Sequence, residues 1–442
     1  MMRFSRPWAR PWPHRGSGAT LAILVGATAL LAACQSAAPT TSSGDTSAKD
    51  DGTTITMWTR SPTATFTQTL IDAYNKSHQN KVTLTVIPAD SYQQKVGTAA
   101  GAKQLPDILA TDVVYAPNYA AKGLFLDLTA RVDQLPFKAT LAPAHMKAAT
   151  HDNKVFGVPH DIDLSALFYN KALFTKAGLD PEKPPTTLDE LYADVKKINA
   201  LGGAVHGYSF GGACPGCMLF TTWPMVWASG STVLNDQGSA STVNNAAAAS
   251  VYSLYRRMFA EGLVPAAAKN EAGPTWTQDF GDGHIGIQPL GATSLQGFKE
   301  NADLQIGVAA IPGLTGGGSS FVGGDTIGIS SNSTHAAQAW DFISWTLSEA
   351  AQVEVVAKNK NITVRSDLAN NTYATQDPRL ATFNKLAGLG QTPISVNFGK
   401  TFNDPNGPWT ATVIEAVFGT KDVAAVLSDH NASITESLAS GS

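Results

Sequence analysis

Asp161 and Asp163 stand two residues apart inside the otherwise apolar stretch 155–170, VFGVPHDIDLSALFYN. The stretch reads as an apolar strand, a turn at Pro159, and a second apolar strand through Leu164, Leu167 and Phe168. Alternate strand residues share a face, so the two carboxylates should point the same way. An acidic group in a buried strand costs free energy unless donors satisfy it, and the hydroxyls of a polyhydroxylated ligand are such donors. The stretch is therefore expected to floor a cleft between two lobes. A surface turn carrying two solvated aspartates is the alternative. A third use is catalytic. Positions i and i+2 of a strand lie about 6.5–7 Å apart along the backbone, which does not exclude the carboxylate pair of a glycoside hydrolase.

Other polar groups fall where strands end. Arg60 follows a strand at 55–58, Tyr92 follows one at 82–87, Asp112 closes LPDILATD, and Gln288 ends the strand after the Asp282-Gly283 turn. Open α/β sheets present ligand-binding groups at strand carboxyl ends. Strands alternating with helices predict a mainly parallel sheet covered on both faces. Among the helices, PPTTLDEL carries a capping box, with Thr187 capping and Glu190 three residues on. Helices are also expected at 243–261, 335–350 and, closing the chain, 410–418. The glycines at 316–318 read as a loop. Trp223 and Trp227, at i and i+4 in MLFTTWPMVWASG, share one helical face. Each of these, like Trp276 and Trp409, reads when taken singly as a core residue, yet some of them could stack on a sugar ring.

The length of 442 residues exceeds what one hydrophobic core usually serves, so at least two lobes are expected. Charged residues are 15% of the chain and the net charge is −4, with no long basic run, which argues against a nucleic-acid partner. Arg3, Arg6, Arg10 and Arg15 precede the apolar run 21–33 and Cys34. That order is a secretory signal, occupying 1–33, with an apolar run too short for a membrane span. Its end, Leu31-Ala32-Ala33-Cys34, resembles the bacterial lipobox, whose cysteine is lipidated on its thiol. Residues 34–52 are rich in Ser, Thr and Ala and form a tether. Several acyl chains together give stable anchoring, at about 0.8 kcal/mol per buried methylene. The remaining cysteines, Cys214 and Cys217 in GGACPGC, have a spacing also seen in redox motifs and zinc sites. In an exported chain without a second pair, a local structural disulfide is favoured.

Several phrases agree with one family. They are LPDILATD with YAAKGLFLDL, then VFGVPHDIDLSALFYNKALFTKAGL, PPTTLDELYADVKKI, FGDGHIGIQPLG, AAIPG with FVGGDTIGISSNS, and AAQAWDFISWTLSEAAQ. Their series resembles the extracellular solute-binding proteins of bacterial ABC sugar importers, the maltose-binding-protein group, over nearly the whole chain after the signal. It departs at Leu188, where Trp is common, and at Asp325, where an apolar or aromatic residue is common.

The resemblance implies a type II periplasmic-binding-protein-like fold. Each α/β lobe would hold a mainly parallel sheet flanked by helices, with lobe one at 53–163 and 326–366 and lobe two at 164–325 and 367–442. Three crossings would fall near 161–165, 321–326 and 362–366, carrying Asp163, Asp325 and Arg365. Arg365 would pair with a crossing carboxylate or serve as a purely structural ion-pair partner. Polar contacts to a sugar would come from Arg60, Tyr92, Asp112, Asp161, Asp163, Gln288, Asp325 and Arg365. Two or three of Trp223, Trp227, Trp276 and Trp409 would stack on it. The lobes would close by hinge motion on the ligand, and the closed monomer would dock on a membrane permease. Neither cofactor nor metal is expected. A glycerophosphodiester- or polyol-binding protein of the same fold is one alternative and a lipid-anchored glycoside hydrolase the other. Two arginines against four aspartates favour a neutral sugar over a phosphate.

Overall fold

The computed structural model describes residues 47–440; the signal, Cys34 and the greater part of the tether lie outside them. In chain order the strands of the main sheet are β1 (Thr54–Arg60), β2 (Lys81–Ile87), β3 (Ile108–Asp112), β4 (Val158–Asn170), β5 (His206–Tyr208), β6 (Ile285–Gly291), β7 (Ile306–Ala309) and β8 (Val322–Ile329). Their spatial order is β2-β1-β3-β8-β4-β6-β5, with β7 also paired to β4. The outer pairs are parallel: β1 with β2 and β3, and β5 with β6. The long strands β4 and β8 enter antiparallel.

The protein is two-lobed, and β4 shows how one chain joins the lobes. Its first half pairs with β8 up to Leu164, and its second half, from Ser165, pairs with β6 and β7. Every residue of β4 is buried except Asp163, and all of β6 and β8 is buried. Strands covered on both faces read as near-continuous apolar runs, which is why these phrases stood out in the sequence.

Pro159 does not turn the chain as expected; it lies within the continuous strand β4. Proline has no N–H for a ladder and is tolerated in strands at bulges. The register accordingly shifts here, with Asp325 opposite Asp161 but Thr326 opposite Pro159, so that His160 is the extra residue. The buried His160 ring lies with Nε2 3.0 Å from Thr67 Oγ1. Across the ladder, Gly324 has φ +98° and a Cβ there would come within 2.2 Å of the Asp161 carbonyl oxygen, so only glycine fits.

Helices cover the sheet, among them α1 (Ala64–Ser77), α2 (Ala89–Gly101), α3 (Leu188–Asn199), α4 (Pro215–Ala228), α5 (Ala246–Ala260), α6 (Ala336–Thr346), α7 (Pro378–Leu389), α8 (Pro408–Phe418) and α9 (Val423–Ala439). At α3 the Thr187 hydroxyl accepts from the Glu190 N–H at 3.1 Å, while the Glu190 carboxylate accepts chiefly from the N–H and hydroxyl of Thr186. The glycines at 316–318 belong to a hairpin, Ile311–Gly313 paired with Gly316–Ser319, where a loop was expected. The chain does not close at Phe418. Asp422 accepts from the Ala425 N–H and starts α9, which buries Val423, Val426, Leu427, Ile434 and Leu438. Among the described residues no helix is long and apolar enough to cross a membrane.

Candidate functional site

Sheet register places carboxylates side by side. Asp325 on β8 stands opposite Asp112 on β3 and opposite Asp161 on β4, so three neighbouring strands carry aspartates in one row. Like charges facing each other across strands are destabilising. Arg60, the last residue of β1, reaches into this row because Pro62 opens a short helical turn at Ser61–Thr63 directly after it. Its Nε and Nη2 donate to Asp325 Oδ1 at 2.7 and 2.6 Å, and its Nη1 lies 3.1 Å from Asp112 Oδ2. Asp325, wholly buried, also accepts from the Thr63 hydroxyl at 2.8 Å. One guanidinium thus serves two carboxylates.

Burial works against the charge on Arg60, but Asp112 and Asp325 outweigh it and hold the guanidinium above its ordinary range. Burial raises the carboxyl of Asp112 in spite of Arg60. Asp161 is raised well above the usual carboxylate range, first by burial and then by Asp325 and Asp163. Asp163 is also raised by burial, against the N–H and hydroxyl of Thr293. Burial depresses His145 and His160 to about 4. A carboxyl raised in the fold takes up a proton more readily than in the unfolded chain, so its charge lowers stability at neutral pH and the loss is recovered as pH falls through the raised value. Asp161→Asn should therefore melt higher than the parent at pH 7, by about 1 °C for each kcal/mol regained. The gap should narrow on acidification, as read in melting curves across pH; a variant that melts lower at pH 7 would contradict it.

Beside the row lies an open cleft of about 360 Å³. The ends of β1 and β3 contribute Arg60 and Asp112, the crossing strands Asp163 and Gly323, and α4 and the segments around β6 Phe220, Trp276 and Thr293. Asp163, the one incompletely buried residue of β4, accepts from the Thr293 N–H at 3.1 Å. Gly291 makes room for it, since a Cβ there would meet Asp163 Oδ2 at 2.5 Å. Trp276 stands on the wall, and its backbone carbonyl accepts from Gln288 Nε2 at 2.5 Å.

Of the residues singled out in the sequence, Arg60, Asp112, Asp163 and Trp276 therefore line one cleft, and Asp325 and Asp161 lie behind its wall. The others need correction. Tyr92 sits in the first turn of α2, where a loop was expected, and is buried with its hydroxyl donating to the Ala110 carbonyl at 2.7 Å. Trp223 and Trp409 are fully buried and 5.5 Å apart between ring centroids, with Phe402 4.9 Å from Trp223. Trp227 is buried against Trp223 and Phe321. These three indoles are core. Gln288 is buried and holds the Trp276 backbone instead of facing ligand. Arg365 pairs with none of the crossing carboxylates. It donates to Asp367 at 3.1 and 2.5 Å and to the Leu347 carbonyl at 3.2 Å, and stacks 3.9 Å from the Phe137 ring centre.

Thr293, Gly291, Phe220 and Phe321 belong to the cleft and were not singled out. The strand expected to end at Gln288 runs on to Gly291, with Thr293 two residues beyond, and Phe321 opens the crossing phrase FVGGDT, so a wider window at strand ends would have reached them.

Cys214 and Cys217 are joined as a disulfide at the start of α4, and Cys217 lines the cleft. The backbone of Gly273, at φ +117°, passes over the bond, and a Cβ there would lie 3.6 Å from both sulfurs. The same segment receives the Ala213 N–H at the Glu271 carbonyl, 2.9 Å, and leads to Trp276. Closing so short a loop contributes about 2 kcal/mol in the chain-entropy account. Replacing both cysteines with alanine should cost about that much stability and weaken ligand binding by loosening the support of Trp276. Chemical denaturation and titration calorimetry check the two effects; unchanged affinity would show that Trp276 is held independently of the sulfurs.

Two lobes joined by long antiparallel strands, with an open cleft at the junction lined from both, define a solute-binding protein of the two-lobed type. The chain belongs to the bacterial extracellular solute-binding protein family, whose sequence model matches residues 59–353. A binding protein of Brucella abortus (strain 2308) is 27% identical over 303 residues, covering 68% of this chain and 72% of its own. The diacetylchitobiose binding protein DasA of Streptomyces coelicolor is 24% identical over 366 residues, covering 80% and 83%. Among solved structures, the cyclic alpha-maltosyl-1,6-maltose binding protein from Arthrobacter globiformis superposes with a TM-score of 0.75 at 23% identity, covering 88% of this chain and all of that one.

Proposed function

We propose that the protein captures a sugar or short oligosaccharide between its lobes and delivers it to the membrane permease of an ABC importer. The observation that carries this reading is the cleft itself. Carboxylate and guanidinium groups from the crossing strands and from the first lobe face aromatic rings of the second, the pairing of rim hydrogen bonds and flat apolar surface that sugars require. The names of the similar proteins point to carbohydrate ligands as well. A phosphate diester fits less well, because among the described residues Arg60 is the one cation on the wall and is already held by two aspartates. Nor is hydrolysis favoured. Asp161, half of the pair it would need, is 3% exposed and absent from the cleft lining. The protein acts as a binder and not as an enzyme.

In this reading lobe one comprises 53–163 and 326–366, lobe two 164–325 and 367–442, and the lobes close about the segments between them. Family membership fits export. Cys34 carries the lipid that ties the chain to the outer face of the cytoplasmic membrane, and residues 34–52 give it reach. A ligand that binds the native state alone raises the melting temperature by mass action. A thermal-shift screen of the full chain against mono- and oligosaccharides, polyols and glycerophosphodiesters tests the function. A rise with sugars supports it, and a rise confined to phosphodiesters overturns it. Cys34→Ala, which should release the protein into the medium, tests the anchor.

A further inference from the structure

Among the described residues Arg60 is the one cation on the cleft wall, beside Asp112 and Asp163. Its Nε and both terminal nitrogens are taken by Asp325 and Asp112. Asp163 is left with the N–H and hydroxyl of Thr293, and no lysine, arginine or histidine nitrogen of the described residues forms an ion pair with it. A second, independent feature faces the same space: the aromatic side chains of Phe220 and Trp276. Ring faces attract cations, and do so more strongly when water is excluded. A carboxylate without a counter-ion on a wall shared with aromatic rings is the environment that holds an organic ammonium group.

From this geometry we propose that the cargo is an amine-bearing carbohydrate, its protonated amine seated against Asp163. The inference rests on the carbohydrate reading above and narrows it. A neutral sugar satisfies hydrogen bonds but leaves an ionised Asp163 without a counter-charge when the lobes close, which costs free energy. An ammonium group removes that cost, and an anionic ligand adds to it. Discrimination between amine and neutral sugar then resides in one residue.

The test is titration calorimetry, with melting curves alongside, on the full chain at about pH 6, below the ordinary range of an amine. The probes are glucosamine with its β-1,4-linked dimer and tetramer, the N-acetylated forms of the same length, and glucose, cellobiose and cellotetraose. The amine series should bind at least about tenfold more tightly than both uncharged series, roughly the worth of one charge-assisted hydrogen bond. Asp163→Asn, which keeps size and hydrogen-bonding oxygen, should erase most of that preference while melting no lower than the parent. Equal affinity for charged and uncharged series, or a preference that survives in Asp163→Asn, overturns the proposal and leaves the carbohydrate reading standing. Stabilisation by calcium chloride alone would reassign Asp163 to a metal. If no sugar of any series binds, the carbohydrate reading and this inference fall together.

Discussion

Asp163→Ala should abolish the rise in melting temperature that ligand produces while leaving the unliganded protein as stable as before. In the free protein the carboxylate accepts the Thr293 N–H, and Thr293 is exposed, so water can replace the lost acceptor. Burial already raises the Asp163 carboxyl, and deleting it relieves crowding with Asp161. In the complex the account differs. Hydrogen bonds to a charged group are worth about 1.5–3 kcal/mol each, so losing one should weaken binding about 10- to 150-fold, and losing two more than that. Melting curves with and without ligand, supported by calorimetry, separate the two effects. Ligand-induced stabilisation in the variant equal to that of the parent would remove Asp163 from the binding site.

Arg60→Met carries the largest expected loss of stability. The substitution keeps an apolar stem but strands Asp325, which is wholly buried, and leaves Asp112 opposite it with no counter-charge. Removing one partner of a buried ion pair costs about 3–5 kcal/mol, because the other charge stays behind. For a chain of this size that is a fall of about 5 °C in melting temperature. Adding Asp325→Asn should recover part of it, since the stranded charge is then gone while Thr63 can still donate to the amide oxygen. Chemical denaturation of the single and double variants measures both steps. A single variant within about 1 kcal/mol of the parent would mean that water reaches Asp325 freely.

How far the cleft was legible in the sequence follows from the kind of signal each residue gave. Arg60 and Asp112 end short apolar strands, and Asp163 interrupts a long one, so period-two patterning and strand boundaries were enough to select them. Tryptophan carries no such local mark. Trp223 and Trp227 share a helical face as expected, yet that face packs into a ring cluster with Trp409, whose position 186 residues beyond Trp223 no periodicity links to it. Tyr92 was lost to a boundary error, because the polar run Ala-Asp-Ser read as a loop and is the opening turn of α2. Arg365 was left between a crossing carboxylate and a structural ion pair, and it takes the second role, with Asp367 two residues on as partner. Helix α9 escaped notice because serines and asparagine dilute its apolar positions, although Asp422 offered a cap and Val423, Val426 and Leu427 already follow helical spacing. Pro159 misled in the opposite sense, since its fixed backbone suggested a turn where a bulge absorbs it.

One set of contacts bears on movement within the fold. Asn403 donates its side-chain amide to the Tyr115 hydroxyl at 2.8 Å, and Asn118 donates to the Val396 carbonyl at 2.9 Å, while Gly399 lies so close to the Tyr115 ring that a Cβ would come within 2.4 Å. These contacts tie the segment after β3 to the stretch preceding α8. A movement that parts the two segments must break both hydrogen bonds, at about 1 kcal/mol each, as well as unseat the ring. The joint is thus a clasp between two segments far apart in the chain, and it has to open before they can separate.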